Sequence, residues 1–392
     1  MLISISLVLM VGMFLGISCK KIRLPALVGM IATGIIFGPH MLNIIDPKLL
    51  SISSELRRIA LIIILMRAGL SLNISGLKQV GRSAILMCFV PATLEILGYV
   101  LIAPCFLGVS RLEAAIIGAV LAAVSPAVIV PRMIKLSEEG YGTKKQIPQM
   151  ILAGASVDDV FVIVIFSTFI GMAQGQGIDA MQLVRIPCSI VFGIGAGLSA
   201  GLSLGIFFKK IHMRDSAKVL ILLSIAFALD YLESEFGKTV PFSGLIAVMA
   251  MGIGLQKNRK EATVRLSAKF SKLWVCAEIV LFVLVGACVD ITYARSAGIP
   301  TLIVILLVLL FRTAGVCLCV VGTDLNFKEK IFCTFSYIPK ATVQAAIGGI
   351  PLALGLGCGN IVLTVAVMGI LITAPLGAAL IDLFYKRMLA KD

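Results

Sequence analysis

Charge is scarce in this chain. Only 14% of its 392 residues are Asp, Glu, Lys or Arg, where an ordinary soluble domain carries about 25%. A soluble fold of this length could not keep its surface wet with so little, so a soluble enzyme is excluded. Acids are scarcer than bases, 20 against 34, and only 2 histidines are present. These two, His40 and His212, fall at the ends of apolar runs and offer no catalytic pairing. The 10 cysteines are scattered singly with no CxxC pair. That excludes a zinc site and leaves free thiols that pack as small apolar groups. The phosphate-cradling pattern G-x-x-x-x-G-K-[ST] is missing, which argues against an ATP-driven pump. Polar stretches between the apolar runs are short throughout, so no separate soluble domain is expected.

What is abundant is apolar sequence. Hydrophobic residues make up 59% of the chain and the mean hydropathy is +1.09, in repeated runs close to the ~20 residues a helix needs to cross a bilayer. The pattern predicts an all-α polytopic membrane protein with thirteen transmembrane helices, over about 2–19, 24–42, 56–72, 83–107, 111–134, 146–173, 184–208, 217–236, 240–256, 273–290, 300–322, 328–355 and 359–385. The first run has no basic leader region or small-residue cleavage site and is expected to stay as a helix. These spans place most of the basic residues on one face, among them Lys20, Lys21, Arg23, Lys144, Lys145, Lys209, Lys210, Lys257, Arg259, Lys260, Lys386 and Arg387. The bias marks that face as cytoplasmic, with the N-terminus outside and the C-terminus inside. It also accounts for the net charge of +14 without nucleic acid as a partner.

The chain repeats itself. LPALVGMIATGIIFG from Leu24 is echoed by VPFSGLIAVMAMGIGL from Val240, IILMRAGLSLN by LFVLVGACVD, and AVSPAVIVPRM from Ala123 by SYIPKATVQAAI from Ser336. Pro25 and Pro241, Gly69 and Gly286, and Pro126 and Pro339 are separated by nearly the same interval. Helices 1–6 therefore pair with 8–13, and an odd helix between them makes the two repeats opposite in topology. Such inverted repeats frame a midplane site with interrupted helices. The fifth span at Ser125, Pro126 and Pro131, and the twelfth at Pro339 with Gly348 and Gly349, are the candidates for interruption, since proline removes a backbone donor and clashes with the preceding turn. Like dipole ends meeting there call for a compensating charge. Lys340 supplies it on the twelfth span, whereas the fifth offers only the Ser125 hydroxyl.

Asp158 and Asp159 lie in GASVDDVFVIVIFST, about a dozen residues into the sixth span. An ionised acid at a helix centre costs on the order of 3 kcal/mol on insertion scales, so two together require water, a cation or a basic partner. They are about 100° apart on a helix, close enough to repel, and titrate as a unit. Carboxylates in that position take either a proton or a hard monovalent cation, for which Ser156 and Ser125 can add neutral oxygens. Glu95 in the fourth span and Arg312 in the eleventh stand one repeat interval apart and are expected to form a buried ion pair, either as structural glue or as part of proton coupling. Breaking such a pair costs about 3–5 kcal/mol. Arg67 is placed to snorkel, and Glu278, Asp230, Glu233 and Glu235 are read as interfacial.

RRIALIIILMRAGLSL, AAVSPAVIVPRM, GYGTKKQIPQMILAGASVDDV and FKEKIFCTFSYIPKATVQAAIGGIPL together resemble the sodium/proton antiporters of the NHA branch of the cation/proton antiporter superfamily, over about residues 24–380. The resemblance implies the NhaA fold with two broken crossing helices. Residues 1–82 and 210–298 would form a scaffold and dimerisation domain, 83–176 and 299–386 a core ion-transport domain, and 177–209 a linker helix. It implies a homodimer in a cell membrane, in contact with lipid, working by alternating access without a cofactor. Asp158 and Asp159 then correspond to the shared cation and proton carriers, Lys340 to the lysine of the broken helix, and Glu95 and Arg312 to the membrane ion pair. Relative to NhaA, Arg312 stands where a lysine would be expected and Ser125 and Pro126 where an acid would be, which leaves electrogenic and electroneutral exchange both open. The expected activity is exchange of Na⁺ or Li⁺ for H⁺. Potassium/proton exchange remains the alternative within the class, because two carboxylates alone do not set cation size. Outside it stand a channel, which would conduct without proton exchange, and an intramembrane aspartyl protease, whose acids normally come from two helices rather than from neighbours on one.

Overall fold

The structure is a computed structural model that describes residues 1–22, 24–71, 81–175, 180–236, 242–258 and 260–391. Side chains are described for all of these except 156, 160, 180–187, 190, 234, 236, 258, 260 and 293–297. Among the described residues the chain is helical throughout, with one isolated bridge between Tyr141 and Lys391. Among the described residues eight helices are long and apolar enough to cross a membrane, and the shorter apolar helices are Ala26–Phe37, Gly244–Lys257 and Thr342–Ala353.

Several boundaries differ from the sequence reading for identifiable reasons. The fourth span is not continuous: Arg82–Met87 ends in a turn at Cys88 and Phe89 before Val90–Leu107 resumes. Pro91 sits in the first turn of the new helix, where its missing N–H costs nothing. The tenth span begins far earlier, as part of Lys260–Ala287. Its first turns carry Arg265, Lys269 and Lys272, whose charges hid the helix from a hydropathy reading. Glu278, read as interfacial, consequently lies about five turns into its helix.

The chain divides into two compact units, Met1–Glu55, Asn73–Ala173 and Ile279–Asp392 in one, Leu56–Leu72 and Gln174–Glu278 in the other.

In the first unit, a Cβ on Gly34 would strike the Val283 carbonyl and one on Gly286 would strike the Ile31 carbonyl. Two helix backbones meet there without side chains between them, the small-residue packing common in membranes. In the second unit Gly69 lies against the Met249 carbonyl and Gly252 against the Gly69 backbone. Gly34 and Gly252 stand one repeat interval apart, as do Gly69 and Gly286, so one helix contact occurs twice with its partners exchanged. The second unit also ties its charges at helix ends. Arg58 forks onto Asp230 at 2.7 and 3.0 Å, and Glu233 accepts from the Gly244 N–H at 2.8 Å. Hydrogen bonds from Arg265 and Lys218 hold the Asp215 carboxyl below the usual carboxylate range.

Two helices of the first unit are interrupted where proline was read as a breaker. Arg111–Ala122 starts from a capping box made by Ser110 and Glu113, then yields to extended backbone at Ala123 (φ −69, ψ 141) and Ser125 (φ −89, ψ 110). Pro126 opens the second half, Pro126–Glu138, at the position where proline is tolerated. The other begins from an Asn326 and Glu329 capping box, runs as Phe327–Ser336, breaks over 337–341 and resumes as Thr342–Ile347. The breaks touch, since the Ser125 N–H donates to the Pro339 carbonyl at 2.8 Å.

Candidate functional site

The touching breaks form a polar centre inside an apolar cluster that includes Met87, Val124, Ile151, Ala155, Val316 and Phe332. Each interrupted helix ends on unsatisfied carbonyls and restarts on unsatisfied N–H groups, partial charges that need partners when buried. Arg312, 1% exposed on the long helix Ile291–Cys319, answers both carbonyl ends. Its Nη1 donates to the carbonyl of Ala122, the last residue of one first half, and its Nε to the carbonyl of Tyr337, the residue that caps the other. The guanidinium carbon also lies 5.5 Å from the centre of the Tyr337 ring. Arginine suits this place because its planar fork carries five donors in fixed directions and stays charged.

Glu95, on Val90–Leu107, is 1% exposed and is bound by two cations. Arg312 Nη1 donates to its Oε2, and Lys340 Nζ reaches the same oxygen at 2.7 Å. The structure thus brings together the pair read from the repeat and adds Lys340 as a third member. Lys340 was expected to offset the helix ends directly; instead it completes Glu95, its own backbone N–H donates to Thr373 Oγ1 at 3.1 Å, and Arg312 meets the carbonyls.

Asp158 and Asp159 lie midway along Ile147–Ala173, 0% and 7% exposed. Asp158 Oδ2 accepts from the Val124 N–H at 2.8 Å, the first donor freed by the break, and faces Arg312 Nη2 at 3.4 Å. The negative helix ends therefore meet the arginine and the positive end meets the aspartate. The remaining oxygens are open: Asp158 Oδ1 and Asp159 Oδ1 are buried without a hydrogen-bond partner among the described residues, as is Ser125 Oγ. Buried polar atoms are nearly always paired, so unpaired carboxylate oxygens, with an unpaired hydroxyl on the residue after Val124, describe a place for a bound ion or proton. The Ser156 side chain lies outside the described residues. Among those residues no cluster of three or more His, Cys, Asp or Glu side chains could hold a metal, so any cation there would be held by few carboxylates and by neutral oxygens.

Residues not singled out on the sequence also belong to this centre. Gln344, fully buried, donates from Nε2 to the Ala123 carbonyl at 2.8 Å. A polar side chain one turn beyond Lys340 in an apolar run was the signal for it. The Tyr337 hydroxyl is buried without a partner among the described residues, and a Cβ on Gly154 would collide with it. Gly154 precedes Asp158 by one helical turn, so only glycine lets the ring approach beside the acid.

Multi-pass helices, two breaks in contact and buried acids with open oxygens define a polytopic membrane protein with a charged centre inside its core. A family model described as sodium/hydrogen exchanger, transmembrane, matches residues 5–384. The chain is 34% identical over 354 residues to mouse sodium/hydrogen exchanger 9B2, covering 87% of this chain and 64% of that one. To the human protein of that name it is 33% identical over 389 residues, covering 94% and 70%. It thus spans about two thirds of these relatives' length. Its fold is similar to that of the sodium proton antiporter MjNhaP1 from Methanocaldococcus jannaschii, with a TM-score of 0.86 at 22% identity over 98% of this chain and 97% of that one. The chain belongs to the sodium/hydrogen exchanger family.

Proposed function

We propose that this protein is a secondary antiporter that exchanges Na⁺, or Li⁺, for H⁺ across a membrane by alternating access, with Asp158 and Asp159 as the shared site. The observation that carries this is the pair of buried carboxylates that each keep an oxygen without a partner among the described residues, while a third acid is bound by two cations. Asp158, Asp159 and Glu95 against Arg312 and Lys340 leave one negative charge uncompensated when all five are ionised. A single monovalent cation or a single proton neutralises it, and each excludes the other. Exchange needs that mutual exclusion. Ser125 Oγ, with Ser156, would supply neutral ligands to the cation, for which hard oxygens are suited. Fixed arginine and lysine charges keep Glu95 out of the competition.

The account extends to the architecture. Thirteen crossings in two inverted repeats are supported by the exchanged glycine contacts and by the two breaks in contact. The helices of 83–176 and 299–386 would carry the ions, 1–82 and 210–298 would mediate a homodimer, and 177–209 would link them. The N-terminus would lie outside and the C-terminus inside a cell membrane, as the basic residues indicate.

Proton flux in liposomes under an imposed pH gradient tests the proposal, with Na⁺, Li⁺ or K⁺ added in turn and Asp159→Asn beside the wild type. Dissipation by Na⁺ or Li⁺ in the wild type alone is the expected result. A folded, inserted wild type that answers no cation would refute it, and a response to K⁺ alone would refute the sodium assignment.

A further inference from the structure

The first break leaves one peptide group, Ala123 to Val124, gripped from both sides. Its N–H donates to Asp158 Oδ2 and its C=O accepts from Gln344 Nε2, each at 2.8 Å. A trans peptide is planar and points its N–H and C=O in opposite directions. Asp158 and Gln344 therefore hold opposite ends of one rigid dipole. Gln344 comes from the other interrupted helix, through Thr342–Ile347, and its Nε2 also lies 3.5 Å from the Leu121 carbonyl.

Two features indicate that this contact does more than fill space. Gln344 Oε1 is buried without a partner among the described residues, a defect that leucine or methionine would avoid. What the amide contributes is its donor. The peptide it holds is also not fixed by helix geometry, because the flanking residues are extended. In an unbroken helix the Val124 N–H would be committed to the carbonyl four residues back. Here its direction depends on what holds the Ala123 carbonyl. Hydrogen bonds in series also polarise one another, by roughly 10–30% per bond, so a donor at the carbonyl strengthens the N–H that faces the carboxylate.

We propose that Gln344 is a positioning residue of the exchange site, which aims and strengthens the Val124 N–H toward Asp158 and so sets the pH range over which sodium displaces the proton. The inference rests on the reading of Asp158 as a carrier. The titratable groups that face Asp158 are Asp159 on its own helix, Glu95 and Cys88 from the fourth span, Arg312 and Cys319 from the eleventh, and Tyr337 and Lys340 from the second break. Substituting Gln344 leaves all of them in place, so a change in pH response would report on the peptide.

The test is Na⁺-driven proton flux by the full chain in liposomes across a pH series, comparing wild type, Gln344→Met, Gln344→Leu and Gln344→His. With the donor lost, the proton competes better for Asp158. For the Met and Leu variants the half-maximal pH is expected to rise by roughly half a unit and the apparent KM for Na⁺ at fixed pH by about threefold, with the maximal alkaline rate within about twofold of wild type. Gln344→His keeps an N–H donor and should stay near the wild-type half-maximal pH. A side chain that only braces the crossing would lower folded yield or maximal rate and leave the half-maximal pH and KM unmoved, which overturns the inference. So would a histidine variant displaced as far as the methionine one. Should the apolar variants fail to fold, the histidine variant still decides. A wild type without any sodium response refutes the exchange reading itself, whereas a responsive wild type with unmoved variants refutes only the role of Gln344.

Discussion

Glu95 and the Asp158 and Asp159 pair are buried to a similar degree around one arginine, yet they are treated in opposite ways. Glu95 receives Arg312 and Lys340 on one oxygen. Asp158 receives one backbone N–H and a long contact to Arg312, and the pair keeps two oxygens unmet among the described residues. In the proposed exchange a carboxylate saturated by fixed cations serves as a strut, and carboxylates left short of partners take up the mobile positive charge. The difference follows from backbone geometry: the Tyr337 and Ala122 carbonyls and Glu95 take the Nε and Nη1 donors of Arg312, which leaves Asp158 only the longer contact to Nη2.

Removing the mobile site should give the largest effect. Asp158→Asn or Asp159→Asn is expected to lower Na⁺-dependent proton flux by about two orders of magnitude or more while leaving the folded yield close to wild type, because an amide neither releases a proton nor balances a cation. Substitution of the strut should reverse that pattern. Glu95→Gln leaves two buried cations without their acid and is expected to cost about 3–5 kcal/mol, read as a lowered unfolding temperature in detergent. Lys340→Met should cost less, about 1–3 kcal/mol, because Glu95 keeps Arg312. If Lys340→Met proved the more damaging of the two, the strut would have been assigned to the wrong cation. The smallest effect is expected at the end of the chain, where Arg132 forks onto the half-exposed Asp382 at 2.9 and 3.1 Å. Arg132→Ala should change stability by about 0.5 kcal/mol and leave the sodium response unaltered.

The paired acids were legible in the sequence because they break an apolar run in the middle of a span, and the two breaks and the Glu95 and Arg312 pair because they stand about one repeat interval apart. Less legible was how the charges are shared. That Lys340 completes Glu95, and that Arg312 meets the carbonyls of Ala122 and Tyr337, depends on which way freed backbone groups point. No side-chain pattern encodes that. Gln344 and Tyr337 were passed over because glutamine and tyrosine in an apolar run are ordinary, and only their geometry at the break distinguishes them. The turn at Cys88 and Phe89 was marked by Pro91 alone, and the early start of Lys260–Ala287 was hidden by its basic residues.

The central claim is that sodium and the proton exclude each other at one pair of carboxylates. Counting protons released when Na⁺ is titrated into the purified protein in detergent tests it most directly, by calorimetry in buffers of different ionisation enthalpy. The account expects about one proton released per sodium bound, and apparent affinity that weakens by up to about tenfold for each unit of falling pH where the site holds its proton. In Asp158→Asn with Asp159→Asn the release should vanish together with the binding. Sodium binding without proton release in the wild type, or undiminished release in the double variant, would contradict it.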